Sequence, residues 1–211
     1  AWTISMWIKP NSSTSSQTLL NYGQANDTAN GAITIVQSGG NNLSITYGMP
    51  SNKIVILATS CITANVWQQV VFTFDGGTTG NNLADVSDYY SRFSIAVNGS
   101  AVTTYGSHAN NGYTGTITGA DISDNIFRIG RANNVYNNYF GGVINQVAIW
   151  NSDQTANLSA IYNSGSTHNL SLLSSSPTHY YEIESSITNV ADISGSAGFN
   201  GYNFIASNLV S

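Results

Sequence analysis

The sequence predicts an all-β fold: a two-sheet antiparallel jelly-roll sandwich with one short peripheral helix near residues 154–163. Three observations carry this prediction. Apolar residues recur with a period of two in short runs, Gly- and Asn-rich turns separate the runs, and a single stretch repeats with helical spacing. A chain of 211 residues suits one such sandwich and can bury a core without covalent staples.

The first run is Trp2, Ile4, Met6 and Ile8, alternating with Thr3, Ser5 and Trp7. Ile33 and Ile35 flank Thr34, and Leu43, Ile45 and Tyr47 alternate with Ser44 and Thr46. Val70, Phe72 and Phe74 alternate with Val71 and Thr73, and Phe93, Ile95 and Val97 with Ser94 and Ala96. Such alternation turns one face of each strand to a core. Between the runs stand Gly39-Gly40-Asn41-Asn42, Asp75-Gly76-Gly77, Asn98-Gly99 and Gly141-Gly142. Asn98-Gly99 is a hairpin signal, because a tight β-turn needs residues that accept positive φ. Gly130, Gly141 and Gly142 fit tight turns for the same reason. Trp67, directly ahead of the Val70 run, is placed to act as a large core anchor.

In the helical stretch, Ser152 or Asp153 can cap, Leu158, Ile161 and Tyr162 share a face, and Gly165 can end the helix. Its expected place is over one edge of the sheets. Thr78–Ser91 and Gly106–Ser123 read as long connections. Residues 1–170 are expected to form the sandwich. Residues 171–211 are expected to form a Ser-rich linker and C-terminal extension with one strand near 179–184, packing on the sandwich or starting a further segment. The chain opens on Ala1 one residue before a strand, so further sequence is expected ahead of it.

Charged residues make up only 7% of the chain, against about 25% in ordinary globular domains. Solubility therefore rests on amides and hydroxyls. With 5 Lys and Arg and a net charge of −5, no basic stripe exists to hold nucleic acid or an anionic membrane. No apolar run approaches the ~20 residues of a membrane-spanning helix. Cys61 is the single cysteine, which excludes an internal disulfide, and it reads as a buried small apolar residue.

No motif for catalysis stands out. Glycoside hydrolysis needs two carboxylates across the scissile bond. Glu182 and Glu184 alternate onto one strand face, but Ser185 and Ser186 follow where a third acid would stand, so that face reads as a solvated edge. His108, His168 and His179 are scattered and lack partners at metal-ligand spacing. No nucleophile elbow or phosphate loop appears.

Glycan binding is the sharper expectation. Sugars offer hydroxyls to amide and hydroxyl groups and apolar C–H faces to aromatic rings. Asn133–Phe140 supplies both in one segment through Tyr136, Asn137, Asn138 and Tyr139. Tyr105–Tyr113 does the same through Tyr105, His108 and Tyr113, and Asp88–Tyr90 is a third segment of this kind.

Four segments in order carry a family resemblance: Trp2–Pro10 (WTISMWIKP), Asn65–Gly76 (NVWQQVVFTFDG), Arg92–Val102 (RFSIAVNGSAV) and Ile126–Gly165. Together they resemble the laminin-G-like domains of the concanavalin A-like lectin/glucanase superfamily. The resemblance implies that superfamily's two curved antiparallel sheets. It departs from the family at Ile144-Asn145-Gln146-Val147, where the usual Ile-Asp-Glu-Val has lost both carboxylates. The segment usual before the first strand is also missing. The trailing segment Thr178–Asn203 is similar to one in laminin-G-like domains of marine tailed-phage virion proteins. Calcium at a loop rim is a further implication, with Asp121 and Asp124, or Asp85 and Asp88, as oxygen ligands. The expected role is therefore a non-enzymatic module at a virion surface or in an extracellular setting. It would bind host or cell-surface glycans or decorate other virion or surface subunits, with homo-oligomers allowed. A ligand-free capsid or fibre module and a glycoside hydrolase are the alternatives.

Overall fold

The computed structural model describes residues 1–12, 14–23, 32–49, 52–77, 91–106, 109–111, 127–131 and 139–183. Twelve strands lie among them. In chain order they are β1 (Trp2–Pro10), β2 (Gln17–Gly23), β3 (Ala32–Ser38), β4 (Asn42–Met49), β5 (Asn52–Ala58) and β6 (Gln68–Phe74). Then follow β7 (Phe93–Val97), β8 (Ser100–Ala101), β9 (Ala109–Asn111), β10 (Phe127–Ile129), β11 (Gly142–Trp150) and β12 (His179–Tyr181). They form two six-stranded sheets: sheet A in the order β12-β11-β1-β6-β7-β8, and sheet B in the order β10-β2-β3-β4-β5-β9. Each named pairing is antiparallel.

The period of two sorts the side chains. Ile4, Met6, Ile8, Val70, Phe72 and Ile95 from sheet A meet Leu20, Ile33, Ile35, Leu43, Ile45 and Ile56 from sheet B in one core. The core ends at one pole in an aromatic plug, where Phe74 stacks on Phe93 with centroids 4.7 Å apart and Tyr47 lies 5.1 Å from Phe74. Asn98 and Gly99 take φ of 51° and 76°, the two positive values that a type I′ hairpin between β7 and β8 requires.

A second apolar layer lies outside sheet A. Val71, Ala96, Ala148 and Trp150 cluster with Leu158, Ile161, Leu170 and Tyr180. The three buried aliphatics of this cover contribute roughly 1.5–3 kcal/mol each when taken from water. They come from α1 (Leu158–Tyr162), which follows a 3₁₀ turn at Thr155–Asn157, and from a strap containing the 3₁₀ turn Leu170–Leu172. Asp153 opens the helical stretch by accepting from Thr155 N–H at 2.8 Å. Left-handed backbone ends it, beginning at Asn163 (φ 48°) and running through Ser164 to Gly165. The helix covers a sheet face, where an edge was expected. The Ser-rich stretch that reads as a linker is packed: Leu170 is buried, and Trp150 Nε1 donates to Ser175 O at 2.8 Å.

Other expectations need correction. Trp67 is no core anchor; it is 42% exposed. The register explains this, because Gln68 pairs with the inward-facing Ile8, so its neighbour Trp67 turns outward. Trp150, Tyr180 and Phe72 are the large buried side chains instead. Gly141 and Gly142 lack positive φ. Gly142 is needed for closeness: a Cβ there would lie 2.4 Å from the carbonyl oxygen of Lys9 across the β1–β11 ladder. Cys61 is half-buried at the core margin. The expected strand near 179–184 is shorter, and its outer face is not solvated, because the strap buries Tyr180 completely.

Candidate functional site

The two sheets differ in what their outer faces carry. Part of sheet A's, over Val71, Ala96, Ala148 and Trp150, is covered by α1 and the strap. Among the described residues no helix or strap lies on sheet B's outer face. Its inward positions are Ile33, Ile35, Leu43, Ile45, Tyr47, Ile54 and Ile56. Alternation therefore turns Thr34, Val36, Ser44, Thr46, Val55 and Leu57 outward.

Register then lines these residues up. Arg128 pairs with Asn21, Asn21 with Thr34, Thr34 with Thr46, and Thr46 with Val55. One straight row thus crosses five strands, about 19 Å at the usual strand spacing. The row is recessed: Asn21 is 5% exposed, and Thr34 and Thr46 are 8% exposed. A hydrogen-bond chain runs along it. Arg128 Nη1 donates to Asn21 Oδ1 at 3.0 Å and to Gly23 O at 3.2 Å. Asn21 Nδ2 donates to Thr34 Oγ1 at 3.0 Å, which leaves the Thr34 proton to be donated onward. Each donor polarises the next. The row carries a cation, an amide, two hydroxyls and an apolar end at Val55, chemistry of the kind that matches a sugar's hydroxyls and C–H face, with Asn21, Thr34 and Thr46 themselves buried.

Sequence reasoning missed this row. Thr34 and Thr46 are visible as the polar members of alternating strands, and Arg128 as the charge in Phe127-Arg128-Ile129. Their alignment depends on the register of each pairing, between consecutive strands from β2 to β5 and between distant strands for β10 with β2, which alternation alone does not encode.

Of the residues expected to bind glycan, two are described. Tyr139 is 51% exposed, and the guanidinium carbon of Arg131 lies 5.6 Å from its ring centroid. Tyr105 is half-buried against the core, and its hydroxyl accepts from Ile95 N–H at 3.2 Å. Burial pushes its phenol above the ordinary tyrosine range. Tyr136, Asn137, Asn138, His108, Tyr113 and the segment 88–90 lie outside the described residues, as do Asp85, Asp88, Asp121 and Asp124.

The described carboxylates are dispersed. Asp75 pairs with Arg92 at 2.9 Å, Asp153 opens the helical stretch, and Glu182 accepts from the Tyr180 hydroxyl at 2.7 Å. Glu184 lies outside the described residues. Among the described residues no three His, Cys, Asp or Glu side chains gather where a metal could sit. His168 lies in the strap, and its carbonyl oxygen accepts from Gln146 Nε2 at 3.2 Å.

Two antiparallel sheets facing each other over one core define a lectin-like β-sandwich. The chain belongs to the concanavalin A-like lectin/glucanases superfamily, whose laminin-G-type model matches residues 1–157. A candidate carbohydrate-binding protein from Bacteroides ovatus is 18% identical, with a TM-score of 0.59 over 92% of this chain and 49% of that one. The chain thus spans about half the length of that protein. The CBM40 of the Ruminococcus gnavus IT-sialidase, solved with α2,3 sialyllactose, is 12% identical, with a TM-score of 0.52 over 76% of this chain and 81% of that one. The leech intramolecular trans-sialidase is 15% identical, with a TM-score of 0.50 over 80% of this chain and 24% of that one. At such identities the likeness establishes the fold. No curated protein sequence matches.

Proposed function

We propose that this chain is a non-enzymatic glycan-binding module of a virion or cell-surface protein. The observation that carries the reading is the aligned row Arg128–Asn21–Thr34–Thr46–Val55 on the outer face of sheet B, over which no helix or strap lies among the described residues. Sheet A spends part of its outer face on packing, whereas sheet B keeps polar groups in line. Membership of a lectin-like superfamily supports the reading, as do two neighbours whose names concern carbohydrate binding. The uncharged, Asn-, Ser- and Thr-rich composition and the trailing segment from Thr178 support the virion setting, where repetition raises weak affinity.

In this reading Tyr136, Asn137, Asn138 and Tyr139, with His108 and Tyr113, are further glycan contacts, and Asp121 and Asp124, or Asp85 and Asp88, hold calcium. The test is a glycan array with the chain displayed multivalently. Arg128→Ala should lower the signal of any bound glycan about tenfold, the weight of a charged hydrogen-bonding contact. Tyr136→Ala with Tyr139→Ala should abolish it while the melting temperature holds. An undiminished signal from Arg128→Ala removes sheet B as the site, and one from the double variant removes the two tyrosines as contacts.

A further inference from the structure

Four tryptophans occur in the chain, and three are kept from water: Trp150 and Trp7 are buried and Trp2 is half-buried. Trp67 stands out at 42% exposure. An indole carries a large apolar area, so leaving it in water forfeits burial that the other three obtain. Nor is it on a loose loop. Gln68, buried beside it, accepts from Thr63 N–H at 2.9 Å and donates to Thr63 O at 2.7 Å and Val66 O at 3.2 Å. Asn65 N–H donates to Pro10 O at 2.6 Å. The exposed ring is held on a turn pinned at both ends.

Its neighbours are set by register. Ile8–Gln68 is the last pair of the β1–β6 ladder, and Lys9 and Trp67 are the next residues along the two chains beyond it. Lys9 pairs on its other side with Val143, itself 44% exposed. The stacked pair Trp7–Tyr162, with centroids 5.9 Å apart, occupies the next row of the same face. Lys9 has no carboxylate partner among the described residues, where Asp75, Asp153 and Glu182 are engaged elsewhere. Lys9, without a carboxylate partner among the described residues, thus lies between Val143, its pair, and the strand end that carries the exposed Trp67.

We propose that Trp67, Lys9 and Val143 form a second ligand site on the outer face of sheet A, which takes an acidic sugar. The pyranose C–H face stacks on the Trp67 indole, and the carboxylate of a uronate is held at the Lys9 ammonium. Charge decides the class: a neutral sugar uses the ring and leaves the cation unmatched. The pinned turn means that little ordering is lost on binding. The site stands apart from the row on sheet B and does not rest on it.

The experiment titrates the full chain with oligogalacturonate, alginate and hyaluronan oligomers, each beside its carboxyl-reduced counterpart. At least one uronate should bind, and its reduced form about threefold or more weaker, as befits an exposed ion pair. Binding should weaken with salt. Trp67→Ala should lower affinity about tenfold with little change in melting temperature. Lys9→Gln should lower it about threefold and flatten the salt dependence. Failure of every uronate to bind, or full binding by Trp67→Ala, overturns the site. Equal binding by Lys9→Gln overturns the carboxylate assignment. Loss with Arg128→Ala alone moves acidic sugars to sheet B, sinking this site and leaving the other standing.

Discussion

Gln146 Nε2 donates to the Tyr180 hydroxyl at 3.0 Å, and that hydroxyl lies 2.7 Å from Glu182 Oε1, to which it gives its proton. Gln146 sits in the β1–β11 bulge with φ 47° and is 6% exposed. The relay has one direction: amide to phenol to carboxylate. Burial first, then the hydrogen bond and charge of Glu182, push the Tyr180 phenol well above the ordinary tyrosine range. An amide suits position 146 because the phenol has one proton, already committed. This is the place where the family's usual acid has become Gln.

Gln146→Glu should therefore destabilise the fold by about 2–4 kcal/mol at pH 7, the cost of an unpaired buried charge. Burial and Glu182 would raise the folded pKa of the new acid above its unfolded value. Its penalty should then be small at low pH and grow as pH rises through the ordinary carboxylate range. Urea unfolding of both proteins at pH 4.5 and pH 7 checks this; a constant difference would refute the relay.

Trp67 and Trp150 should behave oppositely on truncation. Trp150→Ala removes a side chain that is 1% exposed and should cost about 3–5 kcal/mol. Trp67→Ala should cost under about 1 kcal/mol, as surface positions do. Paired thermal melts decide it, and equal losses would contradict the outward placement of Trp67.

Gly142→Ala should cost about 1–3 kcal/mol, because the new methyl meets the Lys9 carbonyl oxygen in a backbone that cannot swing aside. The neighbouring Gly141→Ala meets only the flexible end of Gln17 at 3.5 Å and should cost less. Denaturation of the two variants side by side separates them.

Millimolar calcium should raise the melting temperature by several degrees if the aspartate pairs 121/124 or 85/88 hold the ion, since a ligand of the folded state stabilises by mass action. Asp121→Asn with Asp124→Asn should remove that rise if the first pair is responsible. A flat titration of the parent chain would end the calcium reading.

Much of the sandwich was legible because it depends on local periodicity. The β1, β4, β6 and β7 runs lie where alternation placed them, since burying one face of a strand needs every second residue apolar. The hairpin at Asn98-Gly99 was legible because few residues accept two successive positive φ values. β2 (Gln17–Gly23) escaped because it carries a bulge that breaks the period and buries both Leu19 and Leu20. The strap escaped because three leucines in a serine-rich stretch look like a linker until Trp150 and Tyr180 supply the surface that buries Leu170.

Taken alone, the chain of letters determined which residues alternate, where the turns fall, and that amides and hydroxyls would take the place of charge at the surface. Tertiary structure decided what those residues face. Trp67 is exposed, Gln146 is buried, and Arg128 shares a row with Asn21 and Thr34 because strands, some consecutive and some far apart in the chain, pair at one register. The physical reason is that alternation fixes only which residues share a face, whereas hydrogen-bonded pairing between strands fixes which of them become neighbours.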